Sequence, residues 1–221
     1  MRIDILTLFP GMFDGFKTES IIKRAIEKEK VEINIIDIRE YTPYKNNQVD
    51  DYQFGGGGGM IMMCEPVFNA VESIKTDDSH VIILSPRGKT FKQSKAYELT
   101  KYKHLIIICG HYEGFDERIY TLADEIISIG DFILTGGELA SMMISDAVIR
   151  LLDGVITSTS LEYESFNDGL LDYPVYTKPR DFRGMVVPEV LISGDHKKIN
   201  EYREEMRKKI TKEYRDDLFK E

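Results

Sequence analysis

The sequence predicts an α/β protein built on a parallel sheet. Two observations carry this. Strand-like and helix-like patterns alternate through the first 156 residues, and several of the strand-like segments are short, unbroken apolar runs, which suit parallel strands buried on both faces. The elements follow in order. Arg2 to Leu8 is β-rich and apolar, a strand. Glu19 to Lys30 places Ile21, Ile22, Ala25 and Ile26 on one helical stripe. Val31 to Ile38 alternates as a strand does. Arg39 to Phe54 is polar without a clear period and runs into five glycines, Gly55 to Gly59. Glu65 to Ile74 reads as a helix with Pro66 in its first turn. Val81 to Leu84, Leu105 to Cys109 and Glu125 to Ile129 read as strands. Phe91 to Tyr102 and Glu138 to Leu152 read as helices, the latter with Leu139, Met142, Met143, Ala147 and Leu151 on one side.

After residue 156 the texture changes. Thr157 to Asp172 is rich in Ser, Thr, Glu and Asn with little periodicity, long enough for a functional or disordered connection. Asp195 to Lys209 is then a charged helix, followed by a second short helical stretch. The expected organisation is an α/β domain over 1–156, a flexible linker over 157–175 and a small C-terminal helical domain over 176–221.

The chain has 221 residues, 29 Lys and Arg against 38 Asp and Glu, a net charge of −9, and 42% hydrophobic residues. That composition excludes a disordered chain. The longest apolar run, Leu105 to Cys109, is far too short to span a bilayer. The N-terminus carries an acid at position 4 and no signal-peptide core. Two cysteines, Cys64 and Cys109, form neither a disulfide framework nor a zinc site alone. The expectation is a cytoplasmic, reduced protein without a membrane partner. The acidity argues against nucleic acid until it is divided by segment. Residues 1–175 hold 17 basic and 28 acidic residues, and residues 176–221 hold 12 and 10. Pro86 to His104 carries six Lys and Arg against Glu98 alone, a stretch that reads either as a guide for a polyanion or as a solvated face.

Common nucleotide motifs fail. Gly88-Lys89-Thr90 ends like a phosphate-binding loop, but the required earlier glycine is Ile83. The glycine run follows a polar loop rather than a buried strand, so it is no dinucleotide fingerprint. There is no Gly-x-Ser-x-Gly elbow and no His-x-x-x-His pair. What remains are three loops at the carboxyl ends of predicted strands: Leu84 to Gly88, Gly110 to Gly114 and Gly130 to Glu138. Ligands of open parallel sheets bind there.

Four segments together resemble one family: Asp50 to Met60, Leu84-Ser85-Pro86, Cys109 to Arg118 and Ser128 to Glu138. The chain is similar to the bacterial tRNA (guanine-N1)-methyltransferases, members of the trefoil-knotted SPOUT methyltransferases. Gly169 to Pro174, Tyr176 to Pro179 and Pro188 to Gly194 extend the likeness over nearly the whole chain. The resemblance implies methylation of N1 of the guanine immediately 3′ of the tRNA anticodon, with S-adenosylmethionine as donor. It also implies a deep trefoil knot, a device nearly absent among folds, a homodimer whose active site draws on both chains, and dependence on Mg²⁺, with no metal ligand assigned. Carried over by position, cofactor contacts fall on Leu84, Ser85, Pro86, Gly110, Ile129, Gly130, Asp131, Phe132, Ile133, Leu134, Gly136 and Gly137. Tyr112 and Glu113 fall between cofactor and target base, and Arg150 falls on the guanine. The glycine run reads either as backbone that approaches the RNA, which makes Gly57, Gly58, Gly59 and Met60 substrate-binding, or as a mobile loop only. The family's catalytic aspartate precedes a Ser-Phe pair; here the pair is Ser165-Phe166 and the preceding residue is Glu164.

The chemistry gives these assignments a rationale. Guanine N1 bears a proton at neutral pH, so the site needs a general base within hydrogen-bond reach. As the proton leaves, charge spreads toward O6, where a guanidinium stabilises it. Glu164 fits the base and Arg150 the guanidinium; Asp168 and Asp172 are rivals for the base. A different reading of Glu164 is a knotted RNA-binding protein with impaired catalysis. Simpler readings stand beside others: His111 structural, Glu113 a helix cap, Cys109 buried core, Met62, Met63, Met142 and Met143 packing, and Arg150 a helix-terminal charge.

Overall fold

The computed structural model describes residues 1–157, 161 and 164–219. Contacts divide the chain into two compact units, Met1–Ile156 and Thr157–Glu221. Positions 158–160 and 162–163 of the expected linker, and 220–221 of the expected C-terminal domain, lie outside the described residues. No helix among the described residues is long and apolar enough to cross a membrane.

The first unit carries the expected alternation on one sheet and its flanking helices. Its strands are β1 (Arg2–Thr7), β2 (Glu32–Asp37), β3 (Asp50–Tyr52), β4 (Met60–Met62), β5 (Ser79–Thr90), β6 (His104–Ile108) and β7 (Glu125–Ser128). Five of these form a sheet of order β2-β1-β6-β5-β7, parallel throughout. Ile5 faces Ile35 on one side and Ile107 on the other. The helices are α1 (Asp14–Thr18), α2 (Ser20–Glu27), α3 (Cys64–Ile74), α4 (Gln93–Leu99) and α5 (Glu138–Ile149). Such crossovers are what parallel pairing requires.

The unbroken apolar runs are explained by the pleat, which sends successive side chains to opposite faces. Ile82, Leu84, Leu105 and Ile107 join one core with Ala25 of α2, Leu99 of α4 and Ile144 and Val148 of α5. Val81, Ile83, Ile106 and Ile108 join a second core with Val67, Ala70 and Val71 of α3. Cys109 is fully buried in the first core, as its place at the end of the run implies.

Two local expectations change. β5 extends past Leu84 to Thr90, because Ile127 pairs with both Leu84 and Lys89 and the residues between are looped out. Gly88 is needed there: a Cβ would lie 2.6 Å from the Ile126 and Ile127 backbone. Gly88-Lys89-Thr90 is therefore strand rather than phosphate loop. The aperiodic stretch 39–54 ends in β3, which pairs antiparallel with β4 around the glycine run.

The second unit contains the hairpin β8 (Asp181–Phe182) and β9 (Met185–Val186), a 3-10 turn over Glu189–Ile192 and helix α6 (His196–Tyr214). α6 is longer than expected at its carboxyl end, and the Asp195 carboxylate accepts the Lys198 N–H at 3.2 Å as its cap. Arg207 is buried on α6, donates to the Leu171 carbonyl at 3.2 Å and pairs with Asp168 and Glu204. Thr211 accepts the Leu171 N–H at 2.9 Å. These bonds hold the 168–171 segment against α6.

Candidate functional site

The carboxyl ends of β5, β6 and β7 open into three loops, and the loops enclose a cavity of about 400 Å³. Its wall contains Leu84, Ser85 and Pro86 from the first loop, Gly110 to Phe115 from the second, and Ile129, Gly130 and Phe132 to Gly137 from the third. Eleven of the twelve expected cofactor positions line it; Asp131 does not, and is exposed. Tyr112 and Glu113 line it as well. Phe115, Tyr120, Ile127, Ser128, Thr135 and Ala140 also line it without having been singled out.

The cavity exists because the third loop returns to the second. The Gly137 N–H donates to the Gly110 carbonyl at 2.8 Å. At Gly137 a Cβ would lie 2.8 Å from the Cys109 Cα and 3.0 Å from the Gly110 nitrogen, so only glycine permits this approach. At Gly110 a Cβ would fill the space 2.8 Å from the Phe115 ring. The next residue after Gly137, Glu138, opens α5 and is 2% exposed. Its Oε1 accepts the Thr7 hydroxyl at 2.7 Å, and Thr7 Oγ1 in turn accepts the Phe9 N–H at 2.9 Å. A carboxylate in the first turn of a helix is favoured by the exposed N–H groups there. The pair ties the end of the third loop to β1. Sequence reasoning missed it, since 131 residues separate the partners.

The second loop is held from the other side by β4. Glu113 N–H donates to the Met60 carbonyl at 3.0 Å, Met62 N–H to the Gly114 carbonyl at 2.9 Å and Asp116 N–H to the Met62 carbonyl at 3.0 Å. Met60 thus reaches the site through Glu113, while Gly57, Gly58, Gly59 and Met60 are not part of the cavity wall. Tyr112 has φ +58. Burial pushes its phenol pKa up, Asp50 adds to that, and Arg39 opposes it. The His111 ring lies 4.7 Å from Phe9 and 5.2 Å from Tyr112, with Nδ1 buried and lacking a hydrogen-bond partner. On the first loop, Ser85 Oγ lies 3.2 Å from the Tyr120 hydroxyl. Arg87 stacks over Tyr120 at 4.1 Å and grips Glu117 at 2.8 and 2.9 Å.

The basic stretch from Pro86 to His104 is less basic in space than in sequence. Arg87 is paired with Glu117, Lys95 with Glu98 and Glu125, and Lys103 with Asp78. At least three of its six cations therefore meet acids, and Glu117, Glu125 and Asp78 come from outside the stretch. Its charge is compensated in part by acids from elsewhere in the chain.

Arg150 caps the carboxyl end of α5 and is half-buried in the first unit. Glu164 belongs to the second unit. Its rivals are engaged there: Asp168 pairs with Arg207, which holds its carboxyl below the usual range, and Asp172 accepts the Tyr173 N–H at 2.7 Å. Among the described residues no group of three or more His, Cys, Asp or Glu is placed to hold a metal ion.

A parallel α/β unit whose three carboxyl-end loops close on one cavity is the architecture of a protein that holds a small organic ligand at the sheet's edge. The family described as tRNA (Guanine-1)-methyltransferase TrmD matches residues 1–221, and the chain belongs to it, and so to the SPOUT methyltransferases. A tRNA (guanine-N(1)-)-methyltransferase of Ureaplasma urealyticum serovar 10 is 56% identical over 220 residues, 99% of this chain and 96% of that one. Enzymes of the same description from Mycoplasma capricolum subsp. capricolum and Bacillus cereus strain AH820 are 51% and 52% identical, covering 99% and 100% of this chain and 91% and 93% of their own.

Proposed function

We propose that the protein methylates N1 of the guanine immediately 3′ of the tRNA anticodon, with S-adenosylmethionine as donor. The observation that carries this reading is the cavity: the three loops of the family resemblance converge on one space. The cavity suits that donor. Apolar side chains of Leu84, Ile129, Phe132 and Leu134 and the backbone of Gly110, Gly136 and Gly137 surround it, and the glycines let the loops pack closer than a Cβ would allow. When bound, the donor supplies a methyl group activated by a sulfonium.

The chain's own groups do the rest. Tyr112 and Glu113 orient the base at the cavity mouth. Glu164 accepts the N1 proton, and Arg150 stabilises the charge that develops on O6. Holding N1 in line with the methyl group supplies much of the rate. The 157–175 segment brings Glu164 to the base when RNA binds, which delays the chemistry until the correct substrate is in place. We read residues 1–156 as the donor-binding domain, with the chain around the three loops knotted, and 176–221 as the tRNA-binding domain. The protein works in the cytoplasm as a homodimer with a shared site. Recognition relies on a few placed cations and on tRNA shape rather than on overall charge.

The experiment is methyl transfer from labelled donor to two tRNA transcripts, one with guanine and one with adenine after the anticodon. Labelling of the guanine transcript alone is expected. Labelling of neither defeats the activity, and equal labelling defeats the position. In single turnover, Glu164→Gln should lose about 10²–10⁴-fold; a change below about threefold moves the base elsewhere.

A further inference from the structure

The second unit holds a cavity that the reaction above does not use. It measures about 420 Å³ and lies between the extended chain at Tyr173–Tyr176, the 3-10 turn at Glu189–Ile192 and the first two turns of α6. Its size is in the range of small-molecule sites. Leu191, Ile192 and Ile199 give it an apolar floor, and Tyr173, Tyr176 and Arg203 give it a polar and aromatic wall.

Three features define what it takes. The Arg203 guanidinium lies over the Tyr173 ring at 4.6 Å, and its Nε is buried without a hydrogen-bond partner. A buried donor without an acceptor is costly, and that Nε gives up no bond when the side chain turns toward a ligand acceptor. Tyr176 presents a 48% exposed ring at the rim. A guanidinium plane and an exposed aromatic ring are the groups on which unstacked nucleobases pack.

The third feature is charge. Between the lining residues Tyr176 and Val187 the chain leaves the cavity as the β8–β9 hairpin. That hairpin and its approach expose Lys178, Arg180 and Arg183 against one acid, Asp181. Arg183 and Gly184 both have positive φ, +55 and +82, as a tight two-residue hairpin turn requires. Phe182, 52% exposed, carries the Arg183 guanidinium at 5.1 Å. Exposed cations beside an aromatic-lined cavity complement a single-stranded polyanion with a free base.

We propose that this cavity holds one unpaired nucleotide of the RNA substrate, its base against Arg203 and Tyr176 and its flanking phosphates on Lys178, Arg180 and Arg183. The proposal rests on the tRNA reading and adds to it a second contact site, built by the second unit.

The test uses the full-length protein and an unmodified tRNA transcript. Two variants are compared with wild type: Arg203→Met, and the surface double Arg180→Ala/Arg183→Ala, which touches no packed residue of the cavity. The double variant should weaken tRNA binding at least about fivefold at low salt and reduce the slope of log affinity against log salt by roughly 1.4, about 0.7 for each phosphate no longer neutralised. Arg203→Met should weaken binding about tenfold, the size of one base stack on a side chain. Methylation at saturating tRNA should keep its wild-type rate in both, with only the KM for tRNA raised. A transcript carrying 4-thiouridine should cross-link to the peptide containing Tyr173 and Tyr176. Wild-type affinity and salt slope in the double variant, or cross-links confined to the first unit, overturn the proposal while leaving the methyltransferase reading intact. If wild type itself neither binds nor methylates the transcript, the parent reading fails, and this one with it.

Discussion

The two ends of the five-stranded sheet are built on opposite principles. At the amino end, the polar groups around Asp4 are buried and hydrogen-bonded to one another. Asp4 is fully buried and accepts from Arg2 Nε at 3.0 Å and Nη2 at 2.6 Å and from Asn34 at 3.0 Å, and it pairs with His104 Nε2 at 2.9 Å. His104 Nδ1 lies 2.7 Å from Ser79 Oγ, which accepts the Thr76 N–H at 2.8 Å. This network joins β1, β2, β5 and β6 side by side. At the carboxyl end the same strands release glycine-rich loops that enclose a cavity. There His111 Nδ1 lacks a partner, Tyr112 sits at positive φ, and Phe132 and Ile133 are 53% and 78% exposed. The bonded Asp4 network supplies stability, and the open end with its unused hydrogen-bonding capacity supplies binding. Strain and orphaned groups are tolerated where they serve a ligand because the opposite end holds the strands in place.

The comparison is easiest to break at Asp4. Asp4→Leu removes the acceptor shared by Arg2, Asn34 and His104, and should cost about 3–5 kcal/mol, the range for breaking a buried pair from one side. Urea unfolding measures the loss. At a temperature where the variant is folded, its methyl-transfer rate should stay close to wild type. A rate loss that exceeds the loss of folded protein means the two ends are not independent. The converse variant is Gly137→Ala. Its Cβ would meet the Cys109 Cα at 2.8 Å, so the third loop must move away from the second. Misplacement of this order costs about 10²-fold in rate, or roughly 2.7 kcal/mol of transition-state stabilisation. Calorimetric titration of the donor alone should show the same weakening.

What could be read from the sequence divides along the same line. The strands were legible because burial on two faces writes an unbroken apolar run. α5 was legible as a helix but not by its face. Its buried side is Ala140, Ser141, Ile144, Ser145, Val148 and Ile149, while Leu139 and Met143 of the expected stripe are 52% and 56% exposed, and Met143 does not pack as expected. The three carboxyl-end loops were legible because glycine clusters at strand ends, and their motifs carry a family likeness. The amino-end network was not. Nothing about Asp4, His104 or Ser79 in isolation marks them as partners, since 100 residues separate the first two. Thr7 and Glu138 escaped for the same reason. β3 and β4 escaped because each is three residues long, shorter than any periodicity can register. The basic run at Pro86–His104 could not be resolved as a linear count, because Glu117, Glu125 and Asp78 pair with part of it from elsewhere in the chain.

Smaller changes sharpen the boundary between the two ends. Thr7→Val keeps the shape of the side chain and deletes the hydroxyl that donates to Glu138. Leaving a buried carboxylate oxygen without that bond should cost about 2 kcal/mol. Because the bond ties the third loop to β1, donor affinity should fall along with stability, which is not expected of Asp4→Leu.

The smallest effect concerns Asp116, on the far side of the second loop. Its carboxyl is held well below the usual carboxylate range, chiefly by the hydrogen bond from Arg118, with burial opposing. A carboxyl whose folded pKa is depressed contributes stability that is fully present above the unfolded value of about 4 and is lost as pH falls through the folded value. Arg118 is 72% exposed, so solvent screening keeps the contribution below about 1 kcal/mol. Asp116→Asn should therefore lower stability slightly at pH 7 and flatten the acid limb of the stability curve below pH 4. It should also be felt at Cys64, whose thiol is pushed up to about 11 by burial first and by Asp116 second. Removing the Asp116 charge should lower that value and speed thiol labelling at pH 8. A variant that changes the acid limb but leaves the labelling rate alone would separate Asp116 from Cys64 and confine its role to the Arg118 pair.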